Sequence, residues 1–193
     1  MPFTGLIEDA LYPHFCHQHG QPPWTDFPPA LNDSEHLTLE VIGHYLGYGM
    51  RPHDFHLTVI ETGRTDVLLT FSDFNLLNQT ARDTVLPAAY ASGMGILNGW
   101  SIMRGYLTGV PVETFVKKEK WNEDHERSER MRKWAERLRL NLLELALQFC
   151  LRDDRVHGNP IGSLNKEQLE ANVRAANATL ADATFEQFLA EHL

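Results

Sequence analysis

Cysteine is scarce in this chain of 193 residues, which holds only Cys16 and Cys150. Two thiols so far apart exclude a disulfide scaffold, and a chain of this length needs none to hold a core. Both are expected as free thiols in a reducing compartment, with Cys150 buried as a small hydrophobe in an apolar helical run. A secretory leader is not expected either. Residues 1–12 lack a basic stretch and carry Glu8 and Asp9.

Long apolar runs are missing as well. The longest uncharged stretch, Thr84 to Met103, would just span a bilayer, but it contains Pro87, Asn98, three Gly and two Ser. It reads as a helix buried in a soluble core, so a cytoplasmic protein without membrane contact is expected. Positive charge is also in deficit: 17 Lys and Arg face 26 Asp and Glu, for a net charge of −9. That balance disfavours a dedicated binder of nucleic acid or anionic membrane, whose phosphates demand excess cations. Established catalytic and metal strings are lacking too. The sequence has no HExxH, no paired CxxC, no ExxH, and no readable Ser-His-Asp or Cys-His arrangement.

What is present is histidine, ten in all and roughly twice the average share. Seven fall between His14 and His56. If Leu37, Val41, Tyr45 and Tyr48 mark a helix, His36, Glu40 and His44 lie along one of its faces at i, i+4 and i+8. His53 and His56 add two imidazoles beside Asp54. A divalent transition metal such as Zn, Mn or Fe takes three or four such ligands, and an open position would activate water for hydrolysis. His36, Glu40, His44, His53 and His56 are therefore the candidate metal ligands.

The second concentration is cationic. Nine of the 17 Lys and Arg lie within residues 117–139, interleaved with Trp121 and Trp134. A long amphipathic helix is expected over about 116–152, its apolar stripe being Met131, Trp134, Leu138, Leu142, Leu145 and Phe149. Arg127, Arg130, Lys133, Trp134 and Arg137 on this helix, with Trp24 on the aromatic, proline-rich arm, are the candidate partner-binding residues. Six acids among the nine cations make a solvated face laced with ion pairs the plainer reading.

The remaining pattern predicts a β-hairpin from 55–61 and 66–71 around Thr62-Gly63-Arg64-Thr65. Pro87 opens an expected helix to about Tyr106, in which Gly95 and Gly99 permit close helix packing. Asn165 or Ser163 caps a helix with the stripe Leu169, Val173, Ala176 and Leu180. Thr184 and Gln187 form a capping box for a last helix that buries Phe185, Phe188 and Leu189.

These features predict a helix-dominant α+β fold: a small hairpin or sheet packed on a helical bundle with one long amphipathic helix. Residues 1–30 form an irregular arm and 31–193 a single domain. With no catalytic signature, the reading is a non-enzymatic protein-interaction or regulatory accessory subunit with a protein partner. A homo-oligomer is compatible with it. The alternatives are a metal-dependent hydrolase using the His-rich region and an accessory protein contacting nucleic acid through the basic helix.

Overall fold

A computed structural model describes residues 39–42, 45–49 and 53–191 of the chain. Its centre is a four-stranded sheet in chain order. Strand β1 (Leu39–Ile42) pairs antiparallel with β2 (Tyr45–Gly49). From β2 onward the pairing is parallel, through β3 (Val67–Phe71) to β4 (Gly95–Gly99). Parallel neighbours need a crossover, and helices supply each one. Helix α1 (His53–Thr62) links β2 to β3, and α2 (Val85–Ala91) links β3 to β4. The segment after the fourth helix continues the parallel order, with Gly158 bridged to Leu97. The descending helices are α3 (Glu123–Arg137), α4 (Leu142–Leu151), α5 (Lys166–Ala176) and α6 (Asp182–Ala190).

The burial pattern explains this alternation. On β3 and β4, Leu68, Thr70, Ile96 and Asn98 point to the helical side and are fully buried. Leu68 and Ile96 pack there with Val59 and Ile60 of α1, Val85, Leu86 and Ala89 of α2, and Cys150 of α4. Each large aliphatic side chain so buried stabilises the fold by about 2 kcal/mol. On the opposite face Val67, Leu69, Phe71 and Leu97 are half-buried. A second cluster, with Met131, Trp134, Leu145, Phe185 and Phe188, joins α3, α4 and α6. Among the described residues no helix is long and apolar enough to cross a membrane.

Several expectations are corrected here. The region expected as a helix with His36, Glu40 and His44 on one face has Glu40 on strand β1, followed by β2. The first arm of the expected hairpin, 55–61, is instead helix α1. His56, Val59 and Ile60 are its buried positions, and the 3- and 4-residue spacing outweighs the β-branched composition. Gly63 closes it at φ 62°. The helix expected from Pro87 to Tyr106 is α2 followed by β4, so Gly95 and Gly99 serve strand pairing. A Cβ on Gly99 would meet the Thr70 carbonyl at 2.8 Å.

The expected long helix is two helices. Arg139 takes φ 57°, and Asn141 restarts the chain by accepting from the amides of Leu143 and Glu144. Asn122 caps α3 in a reciprocal bond pair with His125. Asn165 caps α5 as expected, but of the expected stripe Leu169 and Val173 are each 53% exposed, while Ala176 and Leu180 are half-buried against the core. Helix α6 has no side-chain cap, and it buries Phe185 and Phe188 but not Leu189. The helix-dominant bundle with a minor sheet thus gives way to alternating parallel strands and helices. The 1–30 arm lies outside the described residues.

Candidate functional site

The C-terminal ends of the parallel strands carry a continuous buried hydrogen-bond chain. Thr70 Oγ1 donates to Asn98 Oδ1 at 2.9 Å. Asn98 Nδ2 donates to the Phe74 carbonyl at 2.9 Å and to Asn159 Oδ1 at 3.0 Å. Asn159 Nδ2 then donates to Ser101 Oγ at 3.0 Å. Thr70, Asn98 and Ser101 are at most 1% exposed, so these bonds replace water for groups that would otherwise be costly to bury. The chain fixes β3, β4 and the 158–160 segment relative to one another.

Just beyond these strand ends the backbone enters the left-handed region at residues that rarely adopt it. Ser72 has φ 62°, Trp100 φ 64°, Met103 φ 45° and Arg104 φ 56°. Each such residue costs on the order of 1–3 kcal/mol, and strain of this kind collects where a site must be shaped. Trp100 packs on Phe71 with ring centroids 4.4 Å apart, and the Arg104 guanidinium lies 4.4 Å from the Trp100 ring centroid.

Of these, Trp100 and Arg104, together with Ser101 and Ile102, floor a cleft of about 850 Å³. One wall is the loop after β4, with Gly105, Thr108, Val110 and Phe115. The other is the strand-like segment and the start of α5, with Ile161, Gly162, Ser163, Asn165, Gln168 and Asn172. Both walls are anchored. Ser128 Oγ donates to the Tyr106 carbonyl at 2.6 Å, holding the first wall on α3. Glu129 accepts from the Val112 amide at 3.4 Å, and the Arg132 guanidinium on its carboxylate holds its pKa below the usual range. On the second wall Asn172 Nδ2 donates to Ser163 Oγ, and Gln168 Oε1 accepts from the Leu164 amide. A Cβ on Gly162 would meet nothing within 4 Å, so the cleft is open at that point.

None of the described residues expected to carry function lines this cleft. His36, His44 and Trp24 fall outside the described residues. His53 Nδ1 is 3.5 Å from Asp73 Oδ2, and His53 Nε2 is 2.7 Å from Thr84 Oγ1. Burial raises the Asp73 carboxyl, and the facing His53 pulls it the other way. His56 is fully buried. Among the described residues no group of three or more His, Cys, Asp and Glu is arranged to hold a metal ion. The expected partner face does not form as one surface. Trp134 is 3% exposed in the core, against Phe188. Arg127 donates to the Leu77 carbonyl at 2.7 Å, Lys133 reaches towards Glu129, and Arg137 pairs with Glu191. Arg130 is exposed. Cys150 is buried as expected, and burial pushes its thiol up to about 12.

The aldo/keto reductase family model matches residues 56–190. The chain belongs to the aldo/keto reductase family. Among solved structures it is similar to the holo form of the aldo-keto reductase AKR11C1 from Bacillus halodurans. The identity is 20% and the TM-score 0.59, with 75% of this chain and 48% of that chain covered. The apo form of that reductase gives 20% identity and a TM-score of 0.56, with 74% and 48% covered. The chain therefore spans about half the length of these reductases. No curated protein matches it.

These likenesses correct the fold class to a TIM-barrel type, in which β2, β3, β4 and the Gly158 segment are successive parallel strands. They also overturn the accessory-subunit and metal-hydrolase readings, since an aldo/keto reductase is an oxidoreductase. Trp100, Arg104 and the 162–172 wall escaped sequence reasoning. The available signal was the helix–strand alternation of residues 53–99 followed by a Gly-containing turn and the Asn165 cap.

Proposed function

We propose that this chain takes part in the reduction of an aldehyde or ketone and that its cleft holds a nicotinamide dinucleotide. Reducing a carbonyl adds a hydride at carbon and a proton at oxygen, and amino-acid side chains carry no hydride. The nicotinamide group supplies that hydride when bound. The observation carrying this reading is the cleft at the C-terminal ends of parallel strands, where barrels of this type place their sites.

The residues present fit such a group. The volume lies within the ordinary range for ligand sites. Arg104 offers a guanidinium for phosphate oxygens, and Ser101 and Ser163 offer hydroxyls. The first turn of α5 leaves backbone amides without helical acceptors, a standard setting for a phosphate. Trp100, Val110 and Phe115 provide apolar surface for ring systems. Thr70, Asn98 and Asn159 lie behind the lining and, through the Asn159 bond, hold Ser101 in the floor. Among the described lining residues there is no His, Lys, Tyr or Asp. We therefore assign binding and orientation to this cleft and place proton delivery outside the described lining.

Equilibrium titration with NADH and NADPH, followed by tryptophan fluorescence, tests the reading. Saturable binding by at least one of them is expected, with loss of binding in Gly162→Leu while circular dichroism stays unchanged. Absence of binding by both overturns it.

A further inference from the structure

We infer that His53 and Asp73 form a latch closed by one shared proton, which holds the loop after β3, and with it the cleft floor, in place. The latch releases when that proton is lost or a second one arrives. The inference concerns the shape of the floor and does not rest on the cofactor reading.

Three elements meet at this pair: the first residue of α1, the loop after β3, and Thr84 before α2. Thr84 Oγ1 lies 2.8 Å from the Thr80 carbonyl and 2.7 Å from His53 Nε2. A hydroxyl has one hydrogen and a carbonyl can only accept, so the hydroxyl donates to Thr80 and Nε2 donates to the hydroxyl. The Nε2 proton is thereby fixed. Nδ1, 3.5 Å from Asp73 Oδ2, is left as the nitrogen whose proton can come and go. With one proton between them the two groups attract, as imidazolium and carboxylate or as imidazole and acid. With none, a lone pair faces a carboxylate that is only 5% exposed. With two, the carboxyl loses the charge that held the imidazolium.

Burial raises the Asp73 carboxyl and the facing His53 pulls it down, so the protons belong to the pair rather than to either group. The other ionisable groups on the packed elements are engaged elsewhere or lie outside. Arg82 reaches Gln79 Oε1 at 3.4 Å, and Asp83 acts on Arg155. Glu61 and Tyr90 are exposed, and His56, one turn along α1, is fully buried.

The pair reaches the floor through the backbone. Asp73 sits between two residues that hold the end of β4. The Ser72 amide donates to the Gly99 carbonyl at 3.3 Å, and Ser72 Oγ donates to Met103 Sδ at 3.2 Å. On the other side the Phe74 carbonyl accepts from Asn98 Nδ2 at 2.9 Å. A displaced Asp73 therefore turns a backbone whose two neighbours fix Asn98 and Gly99, directly before Trp100.

Nuclear magnetic resonance of the full, unaltered chain tests this. Labelling with ¹⁵N-histidine follows both nitrogens of His53, assigned with His53→Gln, and 5-fluorotryptophan follows the four tryptophans, assigned with Trp100→Phe. His53 Nε2 is expected to keep its proton as pH rises, while Nδ1 loses its own. The Trp100 resonance should shift with the same midpoint as Nδ1, and that of Trp134 should not. Asp73→Asn can offer its amide hydrogen to a bare Nδ1 or its oxygen to a protonated one, so in it Trp100 should hold still. A proton that leaves Nε2 first overturns the inference, as does a Trp100 resonance that does not follow Nδ1. So does a Trp100 shift that persists in Asp73→Asn. Should that variant not fold, the comparison of Nδ1 with Trp100 in the unaltered chain decides alone.

Discussion

Asn98 Nδ2 donates to Asn159 Oδ1 at 3.0 Å, and through this bond strand β4 holds the segment that becomes the cleft's second wall. The same amide group receives Thr70 and donates to the Phe74 carbonyl, so one side chain satisfies three partners, two of them buried. Asn98→Leu keeps the branched shape with the same number of heavy atoms, though in a somewhat larger side chain, and leaves those partners without a hydrogen bond. A loss of about 2–4 kcal/mol is expected in urea unfolding. Thr70→Val, which strands fewer groups, should cost about 1 kcal/mol. Equal stability of Asn98→Leu and the parent would show that the chain of bonds does not hold the strands.

Gly99 and Gly162 offer a matched pair. A methyl group at Gly99 would lie 2.8 Å from the Thr70 carbonyl oxygen, a backbone atom that cannot step aside without opening the β3–β4 ladder. Gly99→Ala should therefore lower stability by about 1–3 kcal/mol. Gly162→Ala, with open space around the added carbon, should unfold at nearly the parent temperature. Thermal unfolding followed by circular dichroism separates the two.

The Cys150 thiol, pushed up to about 12 and fully buried, should be inert to thiol reagents at neutral pH. In a Cys16→Ser background, labelling is expected to be negligible without denaturant and to rise with the unfolded fraction in urea. Rapid labelling of the native protein would contradict its burial between the sheet and α4.

Glu129 gives a pH dependence of defined sign. Its carboxyl lies below its ordinary value because Arg132 donates to it. The stability it contributes is therefore fully present above the unfolded carboxyl pKa and is lost as pH falls through the lowered folded value. Glu129→Gln should cost about 1 kcal/mol at neutral pH, and the difference from the parent should vanish once both states are protonated. Urea unfolding across the acidic range checks it. A constant difference at every pH would mean that Glu129 acts by packing alone.

How much of this was legible before folding depends on where the deciding contacts lie. Strand β3, the Asn165 cap, the burial of Phe185 and Phe188 and the apolar setting of Cys150 follow from local pattern. Helix α1 did not, because Phe55 to Glu61 is β-branched and apolar enough to satisfy either period, and packing against the sheet decides. The break at Arg139 depends on a left-handed backbone that Arg does not advertise, and the apolar spacing runs on through it. The cleft was least legible of all. Trp100, Arg104, Gly162 and Glu167 meet only because parallel strand order places the ends of β4 and the Gly158 segment side by side. The histidine surplus drew attention to the 14–56 region, whereas the cleft lies between Trp100 and Asn172.

The central claim is that the walls at 100–115 and 160–172 close on one dinucleotide. Hydrogen–deuterium exchange, with and without saturating NADH, measures this directly. The account predicts added protection in both segments together, with α1 and α2 unchanged. Protection absent from both walls, or confined to the region of His53 and Asp73, would contradict it.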